Sequence, residues 1–181
     1  MKGEEQQVKQ EIDQISEKVG REELDKFNKI LDNITTKKMP PKEALGIGDD
    51  KIENVYAHAY QLYNSGKYTE AGYLFRLLMV LEPTEVKHYI GLAATMHMQK
   101  EFENAVRVYA IAGIVDPDNP IPYFHASDCY IQMRDKASAI IMLDMAVQKS
   151  KNKPEFQILK DRALLTIEGL KRDLLAGSQR E

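Results

Sequence analysis

The chain has 181 residues, of which 43% are hydrophobic and 29% charged, a balance typical of a soluble globular protein. Its formal net charge of −3 gives no overall attraction to nucleic acid or anionic lipid, so neither is expected as a partner. No apolar stretch approaches the roughly 18 residues of a membrane span, and the first residues lack the apolar core of a signal peptide. Cys129 is the single cysteine, which excludes an internal disulfide and favours a packing role in a reducing compartment. We therefore expect a cytoplasmic protein without stable membrane insertion.

Residues 1–36 carry two apolar stripes with steps of three and four residues. This spacing places each stripe on one face of a helix, so an N-terminal helical arm is predicted over 1–36. Two uses of the arm remain open: it covers the protein's own surface, or it serves as a dimer contact or mobile arm. The stripes are Val8, Ile12, Ile15 and Val19, then Leu24, Phe27, Leu31 and Ile34 after Gly20. For a homodimer, the predicted contact residues are Ile12, Ile15, Phe27 and Leu31.

Residues 37–50 are predicted to form a connector. Pro40 and Pro41 argue against a helix there, because proline lacks a backbone N–H and clashes with the preceding helical turn. Gly46 and Gly48 further loosen the chain.

Residues 52–146 repeat with a period of 34 residues. Pro83 and Pro117 are one period apart, and so are Tyr68 and Phe102. A period of this length, with small residues in the middle of each helix, is typical of stacked helix hairpins. Small side chains allow two helices to approach closely, and the prolines end every second helix. The recurring sets are Ala59, Ala93 and Ser127; Leu62, Met96 and Tyr130; Ala71, Ala105 and Ala139; and Phe75, Tyr109 and Leu143.

These residues resemble the tetratricopeptide repeat, with first positions at Ile52, Val86 and Pro120. The resemblance implies an all-α fold: a tetratricopeptide-repeat superhelix of three helix hairpins over 51–150, with N-terminal helices and a C-terminal capping helix. The turn glycine of the repeat is present as Gly66 but is replaced by Lys100 and Arg134 in the later repeats. We therefore expect slightly looser turns in those two hairpins.

After Ala146 the period fails, and Pro154 begins a last amphipathic helix. A terminal repeat leaves an apolar face bare, so residues 151–181 are predicted as the capping helix and a tail. The apolar stripe of this helix is Phe156, Leu159, Ala163, Ile167, Leu170 and Leu174.

In tetratricopeptide repeats, the first helices of the hairpins line a concave face, with the fifth, ninth and twelfth positions pointing into it. Tyrosine suits an extended peptide there, because its ring buries area and its hydroxyl reaches backbone groups. The alternative is that these side chains are part of the core, although other positions already supply the core. The predicted peptide-binding residues are Tyr56, Tyr60, Tyr63, Ile90, Ala94, His97, Phe124, Asp128 and Ile131.

No motif in the sequence indicates catalysis. The chain has no glycine-rich phosphate loop, nucleophile elbow or zinc motif, so no enzyme, metal or cofactor is expected. The histidines show no ligand spacing with a carboxylate or cysteine, and we expect them to be structural: His58, His88, His97 and His125. Function is therefore expected to lie in binding.

Residues 47–68 and 122–129 resemble the class II chaperones of bacterial type III secretion, and the likeness extends over about residues 40–175. Those chaperones hold the two hydrophobic pore-forming translocator proteins before secretion. The resemblance implies that the concave groove takes a short extended segment of a translocator. It also implies that the helix before the repeats makes dimer contacts, as in several members. A general tetratricopeptide-repeat scaffold in a protein assembly is the alternative function.

Overall fold

The computed structural model describes residues 2–178, with side chains described for residues 17, 18 and 20–176. The chain divides into two units, Met1–Gly48 and Asp49–Glu181. Over the described residues all regular structure is helical, which confirms the predicted all-α class. No helix in this part of the chain is both long and apolar enough to cross a membrane.

The first unit contains α1 (Lys2–Thr35) and the short α2 (Pro41–Ala44). The prediction that the prolines exclude a helix is therefore wrong for α2. Pro41 occupies the first helical turn, where a backbone N–H has no intrahelical acceptor and its loss costs little. Phe27 and Leu31 of the second apolar stripe are exposed, at 56% and 42%. The side chains of Ile12 and Ile15 lie outside the described ones.

The second unit consists of three hairpins followed by a final helix, and each helix packs against the next along the chain. Its elements are α3 (Asp49–Asn64), α4 (Tyr68–Leu81), α5 (Val86–Met98), α6 (Phe102–Val115), α7 (Ile121–Gln132), α8 (Lys136–Lys149), a short 3-10 helix (Pro154–Phe156) and α9 (Gln157–Ser178).

The small residues of the 34-residue period lie where helices approach closely. Ala59, Ala71, Ala93, Ala105 and Ala139 are completely buried. A larger side chain at any of these positions would separate the helices, because protein interiors are close-packed. This arrangement confirms the predicted stack of hairpins.

The three hairpin turns share one backbone conformation. Gly66, Lys100 and Arg134 have φ values of 77°, 64° and 62°. Each donates its N–H to the carbonyl three residues earlier, and the next N–H bonds the carbonyl five residues earlier, at 2.9–3.0 Å. The prediction of looser turns is therefore wrong. A left-handed backbone costs a non-glycine residue roughly 1–2 kcal/mol, which packing of the hairpins must offset.

The last helix, α9, closes the core of the third hairpin. Its Ala163, Ile167 and Leu170 join Leu143 and Ala146 of α8 in one buried cluster. The predicted capping helix is confirmed, and the hydrophobic surface that it covers explains why it is needed.

One contact between α4 and α5 depends on a glycine. A Cβ atom built on Gly91 would lie 2.4 Å from the ring of Phe75, which is almost fully buried. The absent side chain thus lets the aromatic ring lie directly against the backbone of α5. A Cβ atom built on Gly169 of α9, by contrast, would meet nothing within 4 Å.

The cap can be tested with two alanine substitutions on α9. Ile167 is 5% exposed, and Ile167→Ala should lower the free energy of unfolding by roughly 2–5 kcal/mol because it leaves a cavity in the cluster. Leu165 is 68% exposed, and Leu165→Ala should change it by at most about 0.5 kcal/mol. Urea unfolding measures both, and equal effects would contradict the role of α9 as a cap.

The glycine contact predicts opposite effects for one chemical change. Gly91→Ala should lower the free energy of unfolding by about 1–3 kcal/mol, because the Phe75 ring must be displaced. Gly169→Ala should raise it by roughly 0.5–1 kcal/mol, since alanine favours a helix and nothing obstructs it. A stabilising Gly91→Ala in the same urea assay would show that the ring does not pack as described.

Candidate functional site

The second unit contains an open cavity of about 490 Å³ between the first helices of its hairpins. Helices α3, α5 and α7 supply its walls, and Phe75 of α4 and Tyr109 of α6 form its base. The lining residues are Tyr56, Tyr60, Tyr63, Phe75, Lys87, Ile90, Gly91, Ala94, His97, Met98, Tyr109, Ile121, His125 and Asp128.

The α3 wall consists of three tyrosines, all of them predicted peptide-binding residues. The Tyr56 ring packs edge-on against Phe75, with ring centres 6.0 Å apart. Tyr63 packs against Tyr68 at 5.5 Å, and burial raises the pKa of its phenol. Tyr60 remains 53% exposed. Tyr56 and Tyr63 thus pack against other aromatic side chains of the protein, whereas Tyr60 is about half exposed.

On α5, Ile90, Ala94 and His97 line the cavity as predicted, together with Lys87, Gly91 and Met98. His97 Nδ1 lies 3.3 Å from the Sγ atom of Cys129, which is completely buried. Burial, with a smaller contribution from the charge of Asp128, raises the pKa of the Cys129 thiol to about 12. The thiol is therefore protonated at neutral pH and is a structural neighbour of the histidine rather than a nucleophile.

On α7, only Asp128 of the three predicted residues lines the cavity. Phe124 is 8% exposed and belongs to the cluster with Leu143 and Ile167, while the Arg162 guanidinium lies 5.3 Å from its ring centre. Ile131 packs against the same cluster. The structure therefore corrects the predicted placement of Phe124 and Ile131 in the groove.

Phe124 and Ile131 lie outside the cavity because each first helix has two edges, one towards the preceding hairpin and one towards the next. The fifth and twelfth positions face forward, so Tyr56, Tyr63, Ile90 and His97 meet the cavity. The forward edge of α7 packs against α8 and α9 instead, because α7 belongs to the last hairpin. The cavity is therefore lined by the backward edge of α7, with Ile121 and His125. These are the second and sixth repeat positions, to which Lys87 and Gly91 correspond on α5.

Three of the four histidines have partners that sequence spacing did not reveal. Buried His88 has Nε2 2.9 Å from a carboxylate oxygen of Glu82, and His125 stacks on Tyr109 with ring centres 5.9 Å apart. His97 and Cys129 are 32 residues apart in sequence, so only stacking of the second and third hairpins brings them together. Among the described residues, no three His, Cys, Asp or Glu side chains are grouped as metal ligands.

The tetratricopeptide repeat family matches residues 52–84 and 90–119 of this chain. Chaperone protein SicA of Salmonella typhimurium is 32% identical over 130 residues, which are 72% of this chain and 76% of SicA. The family match covers the first two hairpins, which contribute α3 and α5 to the cavity.

Two crystal structures of the Yersinia enterocolitica type III secretion chaperone SycD have the same fold. One, an alternative dimer of this translocator chaperone, is 31% identical with a TM-score of 0.67 and covers 70% of this chain and 96% of SycD. The other, in complex with a peptide of the translocator YopD, is 31% identical with a TM-score of 0.66 and covers 70% and 97%. From its repeats, its fold and its identity to SicA and SycD, the chain belongs to the family of type III secretion translocator chaperones.

Proposed function

We propose that this protein binds hydrophobic translocator proteins of a type III secretion system in the cytoplasm and keeps them soluble before secretion. An extended segment of the translocator, the cargo of the chaperone, binds in the cavity between α3, α5 and α7. Binding alone accounts for this activity, and we propose no enzymatic step and no cofactor.

The observation that carries the proposal is the open aromatic cavity. The half-exposed Tyr60 lines this cavity together with the aromatic side chains of Phe75 and Tyr109. Rings of this kind bury large areas at little entropic cost, and tyrosine hydroxyls can bond the backbone of an extended chain. The complex of SycD with a YopD peptide supports the proposal, because a family member of the same fold takes a translocator segment.

The apolar character of translocators explains why binding in such a groove would keep them soluble. A translocator contains segments that enter membranes, and in water such segments aggregate because they expose apolar surface. A chaperone that holds one stretch of the translocator extended keeps the chain from associating with itself. We propose that Tyr56, Tyr60, Tyr63, Ile90, Ala94, His97 and Asp128 contact this stretch.

The groove proposal predicts a loss of binding in Tyr60→Ala. Tyr60 is half exposed and makes no described aromatic pair, so the variant should fold normally by circular dichroism. Its affinity for a translocator should fall about thirtyfold, which corresponds to about 2 kcal/mol at a hot-spot aromatic residue. Calorimetry with the N-terminal region of the co-purified translocator measures the change.

Tyr73→Ala is the matched control, because Tyr73 is 61% exposed on α4 and does not line the cavity. Its affinity should equal that of the parent. If Tyr60→Ala also binds like the parent, the cargo lies outside the groove. A pull-down that recovers a protein assembly without a hydrophobic secreted protein would favour the scaffold alternative.

We also propose that the exposed stripe of α1 makes a homodimer contact. Leu24, Phe27 and Leu31 form a row of large apolar side chains, all more than two-fifths exposed. Exposed rows of this kind mark association surfaces. SycD crystallises as a dimer, which supports association within the family.

If this contact forms, Phe27→Asp with Leu31→Asp should reduce the mass measured by light scattering to that of a monomer, because two charges would have to be buried. Helicity should remain near that of the parent. Leu45→Asp, which changes an exposed leucine outside the stripe, should leave the mass unchanged. A parent that is already monomeric, or a double variant that stays dimeric, would contradict the proposal.

A further inference from the structure

The two oppositely charged residues that line the cavity, Lys87 and Asp128, do not form an ion pair with each other. The cavity walls contain one lysine, Lys87, and one carboxylate, Asp128, besides two histidines. Lys87 already has a partner outside the cavity lining, since its Nζ atom lies 2.6 Å from an oxygen of Glu53. The ammonium also lies 4.8 Å from the ring centre of Tyr56, where the aromatic face adds attraction. The positive charge of Lys87 is therefore largely compensated by Glu53 and Tyr56.

Asp128, by contrast, has no ion pair as close as that of Lys87. The closest approach of its carboxylate to a cationic or potentially cationic group is to His125 Nδ1 at 3.8 Å, which is beyond hydrogen-bonding distance. His125 is held by its stacking on Tyr109, with ring centres 5.9 Å apart. The Asp128 side chain is 44% exposed, so it is open to a ligand. Burial is the main cause of the raised pKa of Tyr109 at the base of the cavity and of the buried Cys129 thiol, and the charge of Asp128 makes a smaller contribution to both.

An apolar cargo segment lying over Asp128 would remove water from a carboxylate and offer it nothing in return, which is unfavourable. A lysine or arginine in the segment would supply a charge-assisted hydrogen bond instead. We infer that Asp128 determines cargo specificity by selecting a segment with a basic side chain at one fixed position among its apolar anchors. This inference rests on the proposed groove function and adds to it the chemistry of one cargo position.

The test uses the full chain and a library of short synthetic peptides that have leucine anchors at fixed positions. Each remaining position carries lysine, glutamine or glutamate in turn, and fluorescence anisotropy gives the affinities. At one position the parent protein should prefer lysine over glutamine about tenfold, which corresponds to about 1.4 kcal/mol. Asp128→Asn should abolish this preference, and Asp128→Lys should reverse it towards glutamate.

Asp144→Asn is the matched control, because Asp144 is exposed on α8 and does not line the cavity. It removes the same charge from the protein and should keep the preference for lysine. Binding that depends on Tyr60 but shows no lysine preference, or a preference that persists in Asp128→Asn, would overturn this inference and leave the groove function standing. Peptide binding that does not depend on Tyr60 would overturn the groove assignment itself, and this inference with it.

Discussion

The close approach of helices at buried alanines is the constraint on which the second unit depends. Ala59, Ala71, Ala93, Ala105 and Ala139 have no exposed surface, and each lies where a larger side chain would push two helices apart. Because these positions recur every 34 residues, successive hairpins stack with a common geometry. The first helices then lie side by side, and the space between them is the cavity.

The two-edged arrangement of the first helices explains both the composition and the limits of that cavity. A helix between two others, such as α5, contributes both of its edges, whereas α3 and α7 contribute one each. The forward edge of α7 belongs to the hydrophobic core because α9 covers it. The capping helix thus stabilises the third hairpin and also determines which aromatic residues remain available to a ligand.

The fold could be predicted from the sequence because a 34-residue period and its alanines reflect contacts that every hairpin repeats. Seven of the nine predicted groove residues line the cavity for the same reason. Phe124 and Ile131 could not be placed correctly from the repeat pattern, since their surroundings depend on α9, whose sequence departs from that pattern. The turn at Lys100 is also not looser as predicted, because tertiary packing imposes a left-handed backbone that local preference disfavours. Likewise, the contact between His97 and Cys129 exists only through hairpin stacking.

The position of α9 has a consequence for the length of segment that the groove can accommodate. Three first helices are available, α3, α5 and α7, and packed helices lie about 8–10 Å apart, so the groove is roughly 20 Å across. An extended chain advances about 3.3 Å per residue, so the groove spans about six residues of such a chain. A fourth exposed first helix would lengthen this span by about three residues. By occupying that place, α9 limits the groove to the length of one short extended stretch.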